Sequence, residues 1–139
     1  MCWWCQRRPH FKGFLTVGFA ADLHETDSYH LWKACKMLEP FHSIVRCVHI
    51  EKEGKPNETK VRIEELEDFF ANNSIALQIT FHTIQEESIA VGMEAFANEW
   101  DLDMLVMPFL HRNMFSQLFH QSMTKKMALH SKVPLLVLK

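Results

Sequence analysis

Phe14-Leu15-Thr16-Val17-Gly18-Phe19, with Leu31, Ala34, Cys35 and Leu38 following at helical spacing, is the stretch that decides the fold. The first six residues form a short, largely apolar run ending in small residues, as a strand buried on both faces should. Thr26, Asp27 and Ser28 then offer N-caps. The four apolar residues recur at i, i+3, i+4 and i+7, and Pro40 stops the helix they define. A buried strand feeding an amphipathic helix is the first half of a parallel βαβ unit.

Outward from that unit the alternation repeats. Ser43 to Ile50 is β-branched and apolar and reads as a second strand, and Gly54-Lys55-Pro56-Asn57 reads as a loop. Ile63, Leu66, Phe69 and Phe70 give the next helix an apolar face opposite Glu64, Glu65, Glu67 and Asp68, a solvated face, and Asn72-Asn73 ends it. Ile75 to Phe81 is expected as the third strand. Ser88 caps a helix that carries Ile89, Met93, Phe96, Ala97 and Trp100 on one side. Met104-Leu105-Val106-Met107 is the fourth strand, halted by Pro108. Phe115, Leu118 and Phe119 mark a helical stretch, and Ser122 opens a last helix. Val133 to Leu138 is the fifth strand, and Pro134, which has no N–H to give a ladder, places it at a sheet edge. The expectation is α/β: an open parallel five-stranded sheet with helices on both faces. Residues 14–139 form one domain, preceded by an N-terminal extension over 1–13.

The bulk numbers narrow the partners. Hydrophobic residues make up 47% and charged residues 23% of 139 positions, which is globular composition. A net charge of −2 and scattered basic residues argue against binding nucleic acid through its phosphates. No apolar run approaches the roughly 20 residues of a membrane span, and none follows the N-terminus as a secretion signal would. Cys2, Cys5, Cys35 and Cys47 have no framework spacing, so the expected location is cytoplasmic.

Parallel sheets bind ligands beyond the carboxyl ends of their strands, where strand order reverses. The loops after Phe19 and after Pro108 therefore matter most, and neither contains the glycine that close approach of a phosphate requires. His111-Arg112-Asn113 offers a cationic grip on an anion. His49, His82 and His111 fall at or just past strand ends and are expected as solvated histidines on one rim. They lack ligand spacing, and no metal is expected. Cys2-Trp3-Trp4-Cys5 has redox-motif spacing but lies at the chain's start, where a frayed or partner-packed terminus is the simpler reading. The methionines read as adaptable core filler. Ser122 reads as a helix N-cap, because no base accompanies it as a nucleophile would need, and no enzymatic activity is expected.

Asp103 to Met107, the polar loop after it, Ser122 opening a helix, and Val133-Pro134-Leu135-Leu136-Val137 resemble the C-terminal half of a universal stress protein. Phe14 to Leu38 is similar to that family's start. The resemblance implies a Rossmann-type sheet of the adenine nucleotide alpha hydrolase-like kind. The family's ATP-binding branch places three glycines and a Ser or Thr in the loop after the fourth strand. Here Pro108, His111 and Gln121 stand at the glycine positions, and Ser122 alone matches. The family's acidic residue at the end of the first strand corresponds to Phe19, next to Ala20. Proline cannot donate to a phosphate or adopt glycine's conformations, so ATP binding in the family manner is not expected. The expected function is a non-catalytic, UspA-like stress-response domain acting through dimerisation and partner binding, without a cofactor. The alternative is a nucleotide- or anion-binding domain that uses a degenerate site of Phe19, Ala20, Pro108, His111, Arg112, Asn113, Gln121 and Ser122. The resemblance implies pairing of the last strand across a two-fold axis, through Val133, Leu135, Leu136 and Val137. A tandem partner domain is the other way to cover that edge.

Overall fold

The computed structural model describes residues 13–52, 56–73, 75–108 and 133–138. The extension up to residue 12, including Cys2-Trp3-Trp4-Cys5, and the segment holding His111, Arg112, Asn113, Gln121 and Ser122 lie outside the described residues. Five strands, β1 (Thr16–Ala20), β2 (Ile44–Glu51), β3 (Ile79–Gln85), β4 (Met104–Pro108) and β5 (Leu135–Leu138), form one sheet in the order β3-β2-β1-β4-β5. Every pairing is parallel. The expected architecture is what the chain adopts, with β5 at an edge. Pro134, unable to donate, still accepts a hydrogen bond from the Leu105 N–H at 2.9 Å.

Two apolar layers sandwich the sheet. Val17, Phe19, Val45, Cys47 and Val106 face Leu31, Ala34, Cys35 and Leu38 of α1 (Asp27–Leu38) and Leu66 and Phe70 of α2 (Pro56–Asn72). Ala20, Val48, Ile50, Leu105 and Met107 face Ile89, Ala90, Met93, Phe96 and Ala97 of α3 (Ile89–Glu99). Alternate residues of β1 thus enter opposite layers, which is why its sequence is apolar from Val17 on. The two layers follow from handedness. The β1–β2 and β2–β3 crossovers move one way along the sheet and the β3–β4 crossover moves back, so right-handed connections put α3 opposite α1 and α2. Burial holds the Cys35 thiol up at about 12 and that of Cys47 well above its ordinary value, so both are unreactive core fillers. No described helix is long and apolar enough to cross a membrane.

Several local expectations are corrected. The third strand runs Ile79–Gln85 rather than Ile75 to Phe81. Ile75 and Leu77 pack on the core from the preceding loop, and the strand itself, at the sheet's edge, carries Thr80, His82, Thr83 and Gln85 among its apolar residues. The second helix begins at Pro56, inside the expected loop, since proline's missing N–H costs nothing in a first helical turn. Thr26 makes no side-chain cap, whereas Ser88 accepts from the Val91 N–H as expected. His49 and His82 lie within β2 and β3, and His82 sits halfway along β3 opposite Val48. The shared histidine rim therefore does not form between these two residues.

Candidate functional site

Beyond the carboxyl ends of β1 and β2 lies a cleft of about 560 Å³, lined by Asp22, Leu23, His24, Glu25, His49, Glu58, Thr59 and Arg62. Three elements build it: the loop from β1 to α1, the end of β2, and the first turns of α2. A recess of about 190 Å³ beside it continues between α1 and α2 to Glu65, Leu66 and Phe69.

The β1–α1 loop is held at successive residues. Ala21 N–H donates to Val48 O at 2.8 Å, extending the β1–β2 ladder past the strand. His49 Nδ1 lies 2.9 Å from Ala21 O, which can only accept, so Nδ1 carries a proton there. Asp22 N–H donates to Asp27 Oδ2 at 3.0 Å. Arg62 Nη1 donates to Leu23 O at 3.0 Å. Leu23 itself has φ 57°, a left-handed conformation that costs a branched residue on the order of 1 kcal/mol. Side chains from β2, α1 and α2 thus fix a strained loop in one shape, the condition under which strain persists.

The lining mixes the carboxylates Asp22, Glu25 and Glu58 with Arg62 and two histidines. This set can orient hydroxyl, amine or amide groups of a small ligand, but it offers one fixed cation against three carboxylates and no phosphate cradle. Among the described residues no group of three or more His, Cys, Asp or Glu is placed to hold a metal ion.

The expected site residues are placed as follows. Phe19 and Ala20 are both 0% exposed, Phe19 in one core layer and Ala20 in the other, so neither side chain reaches the cleft. The expectation that Phe19 stands at the ligand rim is corrected: the strand runs one residue further than read, and the first exposed carboxylate beyond it is Asp22. Pro108 is buried at the end of β4 in register with Leu138. Val133 packs under the α3 layer and Leu136 against the α1–α2 layer, while Leu135 is 40% exposed. Asp22, His49 and Arg62 were not anticipated as neighbours. Their one sequence signal is that each sits at the carboxyl end of a strand or within two turns of a helix start that follows one.

The family model described as Universal stress protein family matches residues 14–139. The chain is also similar to solved structures at low identity. A universal stress protein in complex with cAMP shares 16% identity over 91% of this chain and 98% of that one, with a TM-score of 0.68. A universal stress protein from Archaeoglobus fulgidus in complex with dAMP shares 14% over 91% and 98%, with a TM-score of 0.63. A protein of the same family from Burkholderia pseudomallei shares 18% over 93% and 98%, with a TM-score of 0.62. No curated protein sequence matches the chain.

Proposed function

The chain belongs to the universal stress protein family, and on that premise we propose that it is a non-catalytic member that works through subunit pairing and partner contacts rather than through ATP. The observation that carries the reading is β5. It is four residues of Leu-Leu-Val-Leu at a sheet edge, directly after Pro134 and without a charge, and Leu135 is 40% exposed on it. Natural sheets seldom leave such an edge open, and a second copy would cover it. The opposite edge, β3, carries Thr80, His82, Thr83 and Gln85 and is far more polar. Pro108 supports the other half of the reading, because a buried proline at the head of the fourth-strand loop has no N–H for a phosphate oxygen.

The test is the mass in solution by light scattering. The wild-type chain is expected at twice its own mass, and Leu135→Lys at the single-chain mass with unchanged circular dichroism. Leu135 is the residue to change because Leu136 packs on the core and its replacement would confuse unfolding with dissociation. A wild-type monomer, or a Leu135→Lys dimer, refutes the reading.

One observation favours a second reading, a small-ligand binding domain. The pinned cleft exists without any contribution from β4, and two similar structures hold cAMP and dAMP. In that reading the nucleoside portion of a ligand occupies the cleft, and its phosphates make no contact with a glycine loop.

A further inference from the structure

Toward the amino-terminal end of the sheet, away from the cleft, four side chains meet on the α3 side. Arg46 on β2 and Thr80 on β3 are partners in the ladder, His82 follows on the same face of β3, and Trp100 caps α3. Arg46 Nη1 donates to Thr80 Oγ1 at 3.2 Å, and that oxygen lies 2.9 Å from His82 Nε2. Arginine only donates, so the hydroxyl accepts from it and has its own proton to give to an unprotonated Nε2. The Arg46 guanidinium carbon sits 3.8 Å from the Trp100 ring centroid, a close cation–π contact. The His82 ring lies 5.0 Å from Trp100 and 5.2 Å from Phe96. Arg46 Nε is buried with no hydrogen-bond partner among the described residues, so the indole face and Thr80 are what hold this cation.

We propose that Arg46, Thr80, His82 and Trp100 form an acid-sensitive latch tying the β3 edge to the end of α3, closed while His82 is neutral and opened when it is protonated. Protonation places an N–H at Nε2, so the Thr80 hydroxyl must turn its own proton elsewhere and its oxygen then accepts from two cationic donors, Nε2 and Arg46 Nη1. It also sets a second cation beside Arg46 over the same aromatic surface. Opening bares Trp100, Phe96 and the backbone of an edge strand, the surface a partner strand or apolar face would take.

Three influences act on the imidazole. Burial is the largest and pushes the His82 value below its ordinary 6.5, Arg46 on β2 pushes the same way, and Glu99 at the end of α3 pulls it back. A lowered folded-state value means that the unfolded chain takes up the proton first. The latch is therefore at full strength above the ordinary value and weakens as the pH falls below it. The inference is independent of how β5 is covered.

Hydrogen–deuterium exchange of the full chain at about pH 7.5 and about pH 5.5, each corrected for its intrinsic rate, tests it. In the wild type, amides of β3 and of residues 96–100 should exchange severalfold faster at the lower pH, with β1 and β4 unchanged. In His82→Gln, whose side-chain oxygen still accepts from Thr80 but never gains a proton, the acid response should vanish. Arg46→Gln keeps His82 and removes the repelling charge, so its response should shrink. Removing the Glu99 carboxylate in Glu99→Gln should move the wild-type response to lower pH. An equal acid response in His82→Gln overturns the latch, as does an NMR titration of wild-type His82 at or above the ordinary imidazole value.

Discussion

Gly18→Ala should destabilise the protein in the wild-type background and stabilise it once Leu102 has been cut back to alanine. Gly18 lies in the middle of β1 between Arg46 of β2 and Leu105 of β4. A Cβ there would stand 2.6 Å from Leu102 Cδ1 and 3.1 Å from Leu105 Cδ1. Both contacts are with methyl groups at the ends of side chains, but Leu102 is 0% and Leu105 6% exposed, so neither has open space to turn into. Overpacking of this kind costs about 1–3 kcal/mol. Replacing a strand glycine with alanine returns about 0.5–1 kcal/mol of backbone entropy. The net loss should be about 1 kcal/mol, or a melting temperature lowered by roughly 3–5 °C for a domain of this size. Leu102→Ala alone should cost about 2–5 kcal/mol as a cavity mutation. It also removes the methyl that the new Cβ strikes, so adding Gly18→Ala to it should recover about 0.5–1 kcal/mol. Urea unfolding of the four proteins, read at constant m, gives a coupling of about 1–3 kcal/mol if the reasoning holds. A Gly18→Ala single mutant as stable as the wild type, or additivity across the cycle, refutes it.

Arg62→Ala should free Leu23 O and raise amide exchange over residues 22–25, while costing no more than about 1 kcal/mol because the bond is exposed; Leu23→Gly, which adopts the left-handed backbone without strain, should make the loop less dependent on Arg62. Identical protection in wild type and Arg62→Ala would count against the pinned loop. In thermal melts with adenosine, cAMP, or ATP and Mg²⁺, any upward shift given by ATP should not exceed that given by adenosine. An ATP shift that is clearly larger, and that disappears in Arg112→Ala, would restore the phosphate-binding role of the fourth-strand loop.

The sheet was legible in the sequence because its central strands are buried on both faces. Val17 and Phe19 enter one layer and Ala20 the other, and that two-sided burial leaves an unbroken apolar run that no surface segment imitates. The same logic explains the error at β3. Thr80, His82, Thr83 and Gln85 make this edge strand polar at four of seven positions, so Ile75 and Leu77 in the loop before it looked more strand-like than the strand itself. Pro134 and Pro108 marked the edge and the end of β4 correctly because proline's missing donor has the same consequence in any fold. The cleft was much less legible. Arg62 belongs to a helix face that reads as ordinary solvated charge, and its partner is a backbone carbonyl, which no side-chain pattern announces. Leu23 holds a conformation for which glycine is the usual signal, so the search for glycine passed over it.

Loss of a glycine loop and loss of a binding cleft are physically separate events in this fold. Four hydrogen bonds of the β1–α1 loop run toward one side: to Val48 and His49 on β2, to Asp27 on α1 and to Arg62 on α2. Among the described residues, none of these four hydrogen bonds runs to β4, although β4 is the other neighbour of β1 in the sheet. On the small-ligand reading, a substitution such as proline at position 108 leaves these four hydrogen bonds in place. The chemistry differs as well. Holding a phosphate chain needs several N–H donors converging on a concentrated charge, which only flexible backbone at close range provides. Holding an uncharged polyol or base needs a few separated donors and acceptors, which the fixed carboxylates, imidazoles and guanidinium around the cleft can supply. On the small-ligand reading proposed above, a fourth-strand loop without glycine would remove affinity that comes from phosphate and leave this cleft in place. On the pairing reading proposed above, the β5 edge supplies the principal contact and the cleft is left apart from it.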